Sequence, residues 1–173
     1  MSFVQEFQEV MHGDKIKFWK NAFPNTLSWD HFLYQRHEGN KTRPTRWDNP
    51  DFSITYELEG SPNMVKIPEF EFFRNSLLAV WGDRLWDEPA HIMSTTLGRA
   101  GGLWLHEDGC EQIHWNCVGK TKWTTIDLDG KEENYFMEPG DLIFLPIGIK
   151  HGVETLDQPR AGIAYSIKFK DMI

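Results

Sequence analysis

The spacing of hydrophobic positions changes along this chain. Over residues 3–20, Phe3, Val4, Phe7, Val10 and Met11 recur at helical spacing with Gln and Glu between them, and Gly13 breaks the run. Ser28-Trp29-Asp30-His31-Phe32-Leu33 predicts a second short helix with Ser28 as its N-cap. Residues 36–50 are polar, carry Gly, Asn and two Pro, and predict a loop. Asp51 to Glu59 alternates as a strand, and Glu69 to Trp81 suits a helix ending in a turn at Gly82-Asp83.

From His91 onward the pattern becomes short alternating runs: His91–Leu97, Leu103–Asp108, Gln112–Val118, Thr121–Leu128, Asn134–Met137, Asp141–Leu145, His151–Glu154 and Gly162–Phe169. Turn signals separate them at residues 98–102, at Asp129-Gly130 and at Pro139-Gly140. Many short strands at such spacing predict a mainly β sandwich or barrel. The chain has 173 residues, which predicts one domain over 1–173. Helices and first strands fall in 1–90, and the β core in 91–173. No internal repeat or low-complexity segment interrupts it.

Composition narrows the class. Aromatic content is high at 14%, with eight Trp and twelve Phe, most of them expected in the core. A net charge of -8 argues against general nucleic-acid or anionic-membrane binding. The basic-leaning stretch Lys41-Thr42-Arg43-Pro44-Thr45-Arg46 reads as a solvated loop. No apolar run approaches a membrane span and the N-terminus lacks a signal-peptide pattern, so a cytoplasmic protein is expected. Cys110 and Cys117 lack zinc-finger spacing and are expected to stay reduced.

The most informative chemistry is His106-Glu107-Asp108, followed by His151 within Pro-Ile-Gly-Ile-Lys-His. In a strand, residues i and i+2 share a face, so His106 and Asp108 can enter one cavity with Glu107 turned away. His151 must then come from another strand. Two imidazoles and one carboxylate are the facial ligand set of non-haem Fe(II) oxygenases, which leaves metal positions open.

Two wider motifs contain these residues. His106-x-Asp108-x3-Gln112-x6-Gly119 and Gly140-x5-Pro146-x-Gly148-x2-His151 resemble the two cupin motifs. Asp108 stands where the second His is usual, Gln112 where Glu is usual, and Thr155 where Asn is usual. Within the cupins, a two-His, one-carboxylate site resembles the JmjC-like 2-oxoglutarate oxygenases. Thr95 to Asp108, Gly119-Lys120-Thr121-Lys122-Trp123 and His151 to Leu156 resemble further segments of that family, over roughly residues 90 to 170. The resemblance implies a double-stranded β-helix (cupin, or jelly-roll) with N-terminal helices packed outside. It also implies Fe(II) held by His106, Asp108 and His151, with 2-oxoglutarate as co-substrate.

The family usually places a Lys or Arg fifteen positions after the first metal His, to hold the far carboxylate of 2-oxoglutarate. Here that position is Thr121. Strand parity places Gln112, His114, Asn116 and Lys120 inward unless a bulge at Gly119 shifts the register and brings in Thr121. Lys120 is the favoured carboxylate partner. Arg160, nine residues after His151, becomes the leading candidate if Lys120 faces out. Asn116 is a candidate for 2-oxoglutarate binding, and His114 for a substrate contact or a fourth ligand. Trp104, Trp115 and Trp123 alternate with this inward set and read as packing residues.

The chemistry expected from the resemblance is hydroxylation of a small-molecule or peptide-side-chain substrate by a monomer or small homo-oligomer. The chain ends soon after its last predicted strand, so the C-terminal helical dimerisation region of many such hydroxylases is expected to be missing. The rivals are a metal cupin of other chemistry (an oxygen-only dioxygenase, isomerase or lyase) and a non-catalytic ligand-binding cupin.

Overall fold

A computed structural model of the protein describes Gln5 and residues 15–24, 27–39, 45–48, 54–59, 67–86, 90–94, 97–100 and 105–168. Among the described residues, eleven strands form two antiparallel sheets. They are β1 (Lys17–Trp19), β2 (Thr45–Asp48), β3 (Ile54–Glu59), β4 (Ala90–Ser94), β5 (Gly98–Ala100), β6 (Glu111–Val118), β7 (Thr121–Ile126), β8 (Glu132–Met137), β9 (Leu142–Leu145), β10 (Lys150–Thr155) and β11 (Arg160–Ile167). The seven-stranded sheet has the order β1-β9-β6-β11-β4-β3-β2, and the four-stranded sheet the order β5-β10-β7-β8. This is a cupin-type double-stranded β-helix, as the motifs predict.

Helices α1 (Trp29–Gly39) and α2 (Pro68–Trp81) precede the core strands. Pro68 opens α2, where its missing N–H costs nothing, and Glu69 and Glu71 suit the positive end of the helix dipole. Phe70, Phe73, Leu77, Val80 and Trp81 fall on one helical face and are buried. They cover the outer face of the large sheet. Phe73 meets Trp115 at 4.7 Å and Tyr165 at 6.0 Å between ring centres. Phe32 of α1 joins the same cluster. Each buried ring of this kind stabilises by about 1.5–3 kcal/mol.

A second cluster fills the space between the sheets. Ile143 and Leu145 of β9 face Trp123, Met137, Ile149 and Val153. The strand alternation of β6 and β9 therefore serves two cores, one on each face.

Several expectations are corrected. Lys17–Trp19, beyond the helical run that Gly13 ends and with no strand predicted, is a strand on β9, because its backbone completes the edge of the large sheet. Thr45–Asp48 pairs with β3 rather than forming loop. Gly98–Ala100 pairs with β10 where a turn was predicted. Of the predicted strand Leu103–Asp108, the described residues 105–108 form only a single bridge, His106 to His151. The predicted helical run from Phe3 to Met11 lies outside the described residues apart from Gln5. Among the described residues no helix is long and apolar enough to cross a membrane.

Candidate active site

The bridge between His106 and His151 is the frame of the site. Each residue's N–H donates to the other's carbonyl, at 3.0 and 2.8 Å, so their side chains emerge side by side. The rings lie 4.4 Å apart. Asp108 follows two residues on, and its Oδ2 is 3.4 Å from Nε2 of His151. One ligand atom from each of His106, Asp108 and His151 lies within 4.8 Å of the others, a grouping that can hold a metal ion. Glu107 is exposed and faces Lys150.

Nδ1 of His151 lies 3.1 Å from the Ile149 carbonyl, which can only accept. That contact places the proton on Nδ1 and leaves the Nε2 lone pair turned toward Asp108. Burial, and then the neighbouring His106, hold the His151 imidazole below its ordinary pKa, against a smaller opposing pull from Asp108. His151 is thus neutral, as a ligand must be, at neutral pH. His151 is buried whereas His106 and Asp108 are partly exposed, so the site opens on their side.

A small cleft neighbours this group behind the rings of Trp123 and His114, lined in part by His114, Asn116, Trp123 and Arg160. It is built by the inner faces of β6, β7 and β11. His114 and Asn116 alternate with the outward-facing Trp115, as parity predicts. Asn116 donates from Nδ2 to the Gly119 carbonyl at 2.7 Å, which fastens the tight connection to β7. Gly119 has a positive φ of 76°, and a Cβ there would come within 2.9 Å of the Pro159 carbonyl oxygen.

That connection resets the parity. Lys120 sits at its tip and is corrected from the inward position expected of it. Its ammonium is exposed and pairs with Glu138 at 3.1 Å. Thr121 instead is fully buried. Its hydroxyl accepts from Nε1 of Trp123 at 3.2 Å. Trp123, expected to pack in a layer away from the inward set, lies in the site itself. Its ring stacks on His151 at 5.8 Å and meets His114 at 4.6 Å. The signal for this was present in the glycine at 119, beyond which odd positions turn inward.

Arg160 opens β11, beside Ser94 of β4. It is buried, and its Nε donates to the Ser94 hydroxyl at 3.1 Å. No carboxylate pairs with it among the described residues. Burial pulls its pKa down to about 10, which still leaves it charged at neutral pH. Ser94 carried no signal in the sequence.

No protein-family model matches the chain, and no curated protein does. Solved structures do. A prolyl-4-hydroxylase of Pseudomonas putida aligns over 96% of this chain and 100% of its own, with a TM-score of 0.63 at 10% identity. The ribosomal oxygenase YcfD of Escherichia coli, in complex with cobalt and 2-oxoglutarate, aligns over 98% of this chain and 53% of its own, with a TM-score of 0.63 at 15% identity. The chain thus spans about half the length of YcfD. Oxalate decarboxylase of Bacillus subtilis aligns over 75% of this chain and 29% of its own, with a TM-score of 0.50 at 14% identity. What these structures share with the chain is the double-stranded β-helix fold.

Proposed function

We propose that the protein is an Fe(II)- and 2-oxoglutarate-dependent oxygenase of the JmjC-like cupin type, which hydroxylates a small molecule or a peptide side chain. One observation carries the reading. A cluster of two imidazoles and a carboxylate lies beside a cavity whose wall holds a buried Arg160 with no carboxylate among the described residues. A buried cation is costly unless an anion meets it. A dicarboxylate reaching from the metal to Arg160 is such an anion, and guanidinium suits a carboxylate with two parallel N–H bonds. The structural neighbours, one named a prolyl-4-hydroxylase and one a ribosomal oxygenase in complex with cobalt and 2-oxoglutarate, support the same reading.

The residues present fit the co-substrate and the ion. His106, Asp108 and His151 would hold Fe(II) on one face, leaving other positions free. Iron with 2-oxoglutarate and oxygen supplies an oxidant able to take hydrogen from a C–H bond, with release of succinate and carbon dioxide. The chain's own part is to bind, orient and exclude water. Ile149 fixes the His151 ring, Arg160 anchors the far carboxylate, and Trp123 closes the wall over His151. Substrate would approach from the partly exposed side of His106 and Asp108.

The rival is a metal cupin that ignores 2-oxoglutarate, favoured by Thr121 at the position where the family carries a cation. Anaerobic melting with Mn(II), with and without 2-oxoglutarate, separates the two, since a ligand binding only the folded chain raises the melting temperature. We expect Mn(II) to stabilise wild type but not His106→Ala. We expect 2-oxoglutarate to add a further shift that needs the metal and is lost in Arg160→Gln. A metal shift with no response to 2-oxoglutarate would assign the rival chemistry. No response to either would remove the metal site.

A further inference from the structure

Four residues bring polar side-chain groups to the wall of the cavity beside the metal cluster, and three are already engaged. Arg160 gives Nε to Ser94, Asn116 gives its amide to Gly119, and Trp123 gives its indole N–H to Thr121. His114 is the exception. It is nine-tenths buried, and its Nε2 has no hydrogen-bond partner among the described residues. Its ring is held by packing against Trp123 at 4.6 Å and lies 6.3 Å from the ring of His151.

An orphaned buried imidazole nitrogen forgoes a hydrogen bond it would have in water. Unlike the orphaned groups of Trp81, Trp115 and Tyr165 in the apolar cluster, this one borders a cleft from which a ligand can complete it. His114 stands outside the group of three residues whose donor atoms converge, so the ion itself does not complete it. The ligand must come from the cavity. Burial first, and then the nearby His151 and Arg160, keep the ring neutral. A neutral imidazole carries one N–H and can donate to an oxygen without adding a second buried charge beside Arg160.

We infer that His114 is a second hydrogen-bond donor to the co-substrate, acting with Arg160 from the same cavity wall on a 2-oxo dicarboxylate. This rests on the co-substrate reading above and adds a residue to it. Arg160 supplies charge, and His114 supplies a fixed direction. Together they replace a cation at Thr121, whose hydroxyl is taken by Trp123.

The test is 2-oxoglutarate binding to the Mn(II)-loaded protein without oxygen, measured by calorimetry, with Mn(II) affinity measured separately. His114→Phe keeps a ring against Trp123 and removes the donor. We expect 2-oxoglutarate affinity to fall about tenfold or more, as for loss of a hydrogen bond to a charged group. Mn(II) affinity should stay unchanged, and His114→Gln, which restores an N–H, should recover part of the loss. His114→Leu gives the same comparison if the larger ring does not fold. Equal 2-oxoglutarate affinity in wild type and in the donor-less variant overturns the inference alone. A parallel fall in Mn(II) affinity also overturns it, by making His114 a metal ligand. Wild type that binds Mn(II) but not 2-oxoglutarate overturns the co-substrate reading and the inference together.

Discussion

The two faces of β6 differ more than any two segments of the chain. Ile113, Trp115 and Cys117 point outward into a dry cluster under α2, where Phe23, Phe73 and Tyr165 surround them. Gln112, His114 and Asn116 point between the sheets, toward the cleft and the His106–Asp108–His151 cluster. Adjacent residues thus belong to different problems. The outward set stabilises by removing apolar area from water, whereas the inward set buries polar groups at a desolvation cost, offset for Gln112 and Asn116 by hydrogen bonds to Ser166 and Gly119. The comparison shows where a substitution should change folding and where it should change binding.

The strongest way to break that division is Phe73→Ala. Loss of its ring from Trp115 and Tyr165 should cost about 3–5 kcal/mol in chemical denaturation. Mn(II) affinity of the folded fraction should not move; a matching loss would show that the faces are not separable. Gly119→Ala comes next, because it strains both faces at once. A Cβ at φ 76° would meet the Pro159 carbonyl at 2.9 Å and the Arg160 Cα at 3.2 Å. We expect about 1–3 kcal/mol of destabilisation together with weakened 2-oxoglutarate binding. Stability lost without any change in binding would uncouple the turn from Arg160.

A pH series sharpens the inward face. His114 and His151 are both held below the ordinary histidine pKa by burial. Unfolded histidines take up protons near about pH 6.5, so below that value the unfolded chain binds more protons than the folded one. Stability of the metal-free protein should therefore be greatest above about 6.5 and fall as the pH drops toward the lower folded-state values. His114→Phe should flatten that slope, and an unchanged slope would mean that His114 does not contribute to it. The smallest effect expected is that of Lys120→Ala. Its exposed pair with Glu138 should leave melting and 2-oxoglutarate binding unaltered, and a loss of binding would restore Lys120 to the site.

How much was legible followed from how local the signal was. From residue 111 onward, alternation marks each strand to within about two residues, because one face or both pack in a core. Lys17–Trp19 and Thr45–Asp48 were not legible, since edge pairing to β9 and β3 is decided by distant partners. His106, Asp108 and His151 stood out because two motifs fix their spacing. Lys120 misled because parity was carried through a glycine turn that resets it. Trp123 was hidden by the same step, and Ser94 by the lack of any pattern around it.

The reciprocal main-chain hydrogen bonds between His106 and His151 bear on kinetics. An ion there would fasten the same two residues a second time, through their rings. Peeling segment 105–109 from β10 would then also require a ring to leave the ion, so a bound ion would make that opening rarer. Local unfolding of this segment and ion binding are thus linked. The amide protons of His106 and His151 should exchange with solvent at a common rate, and both should slow when the ion binds.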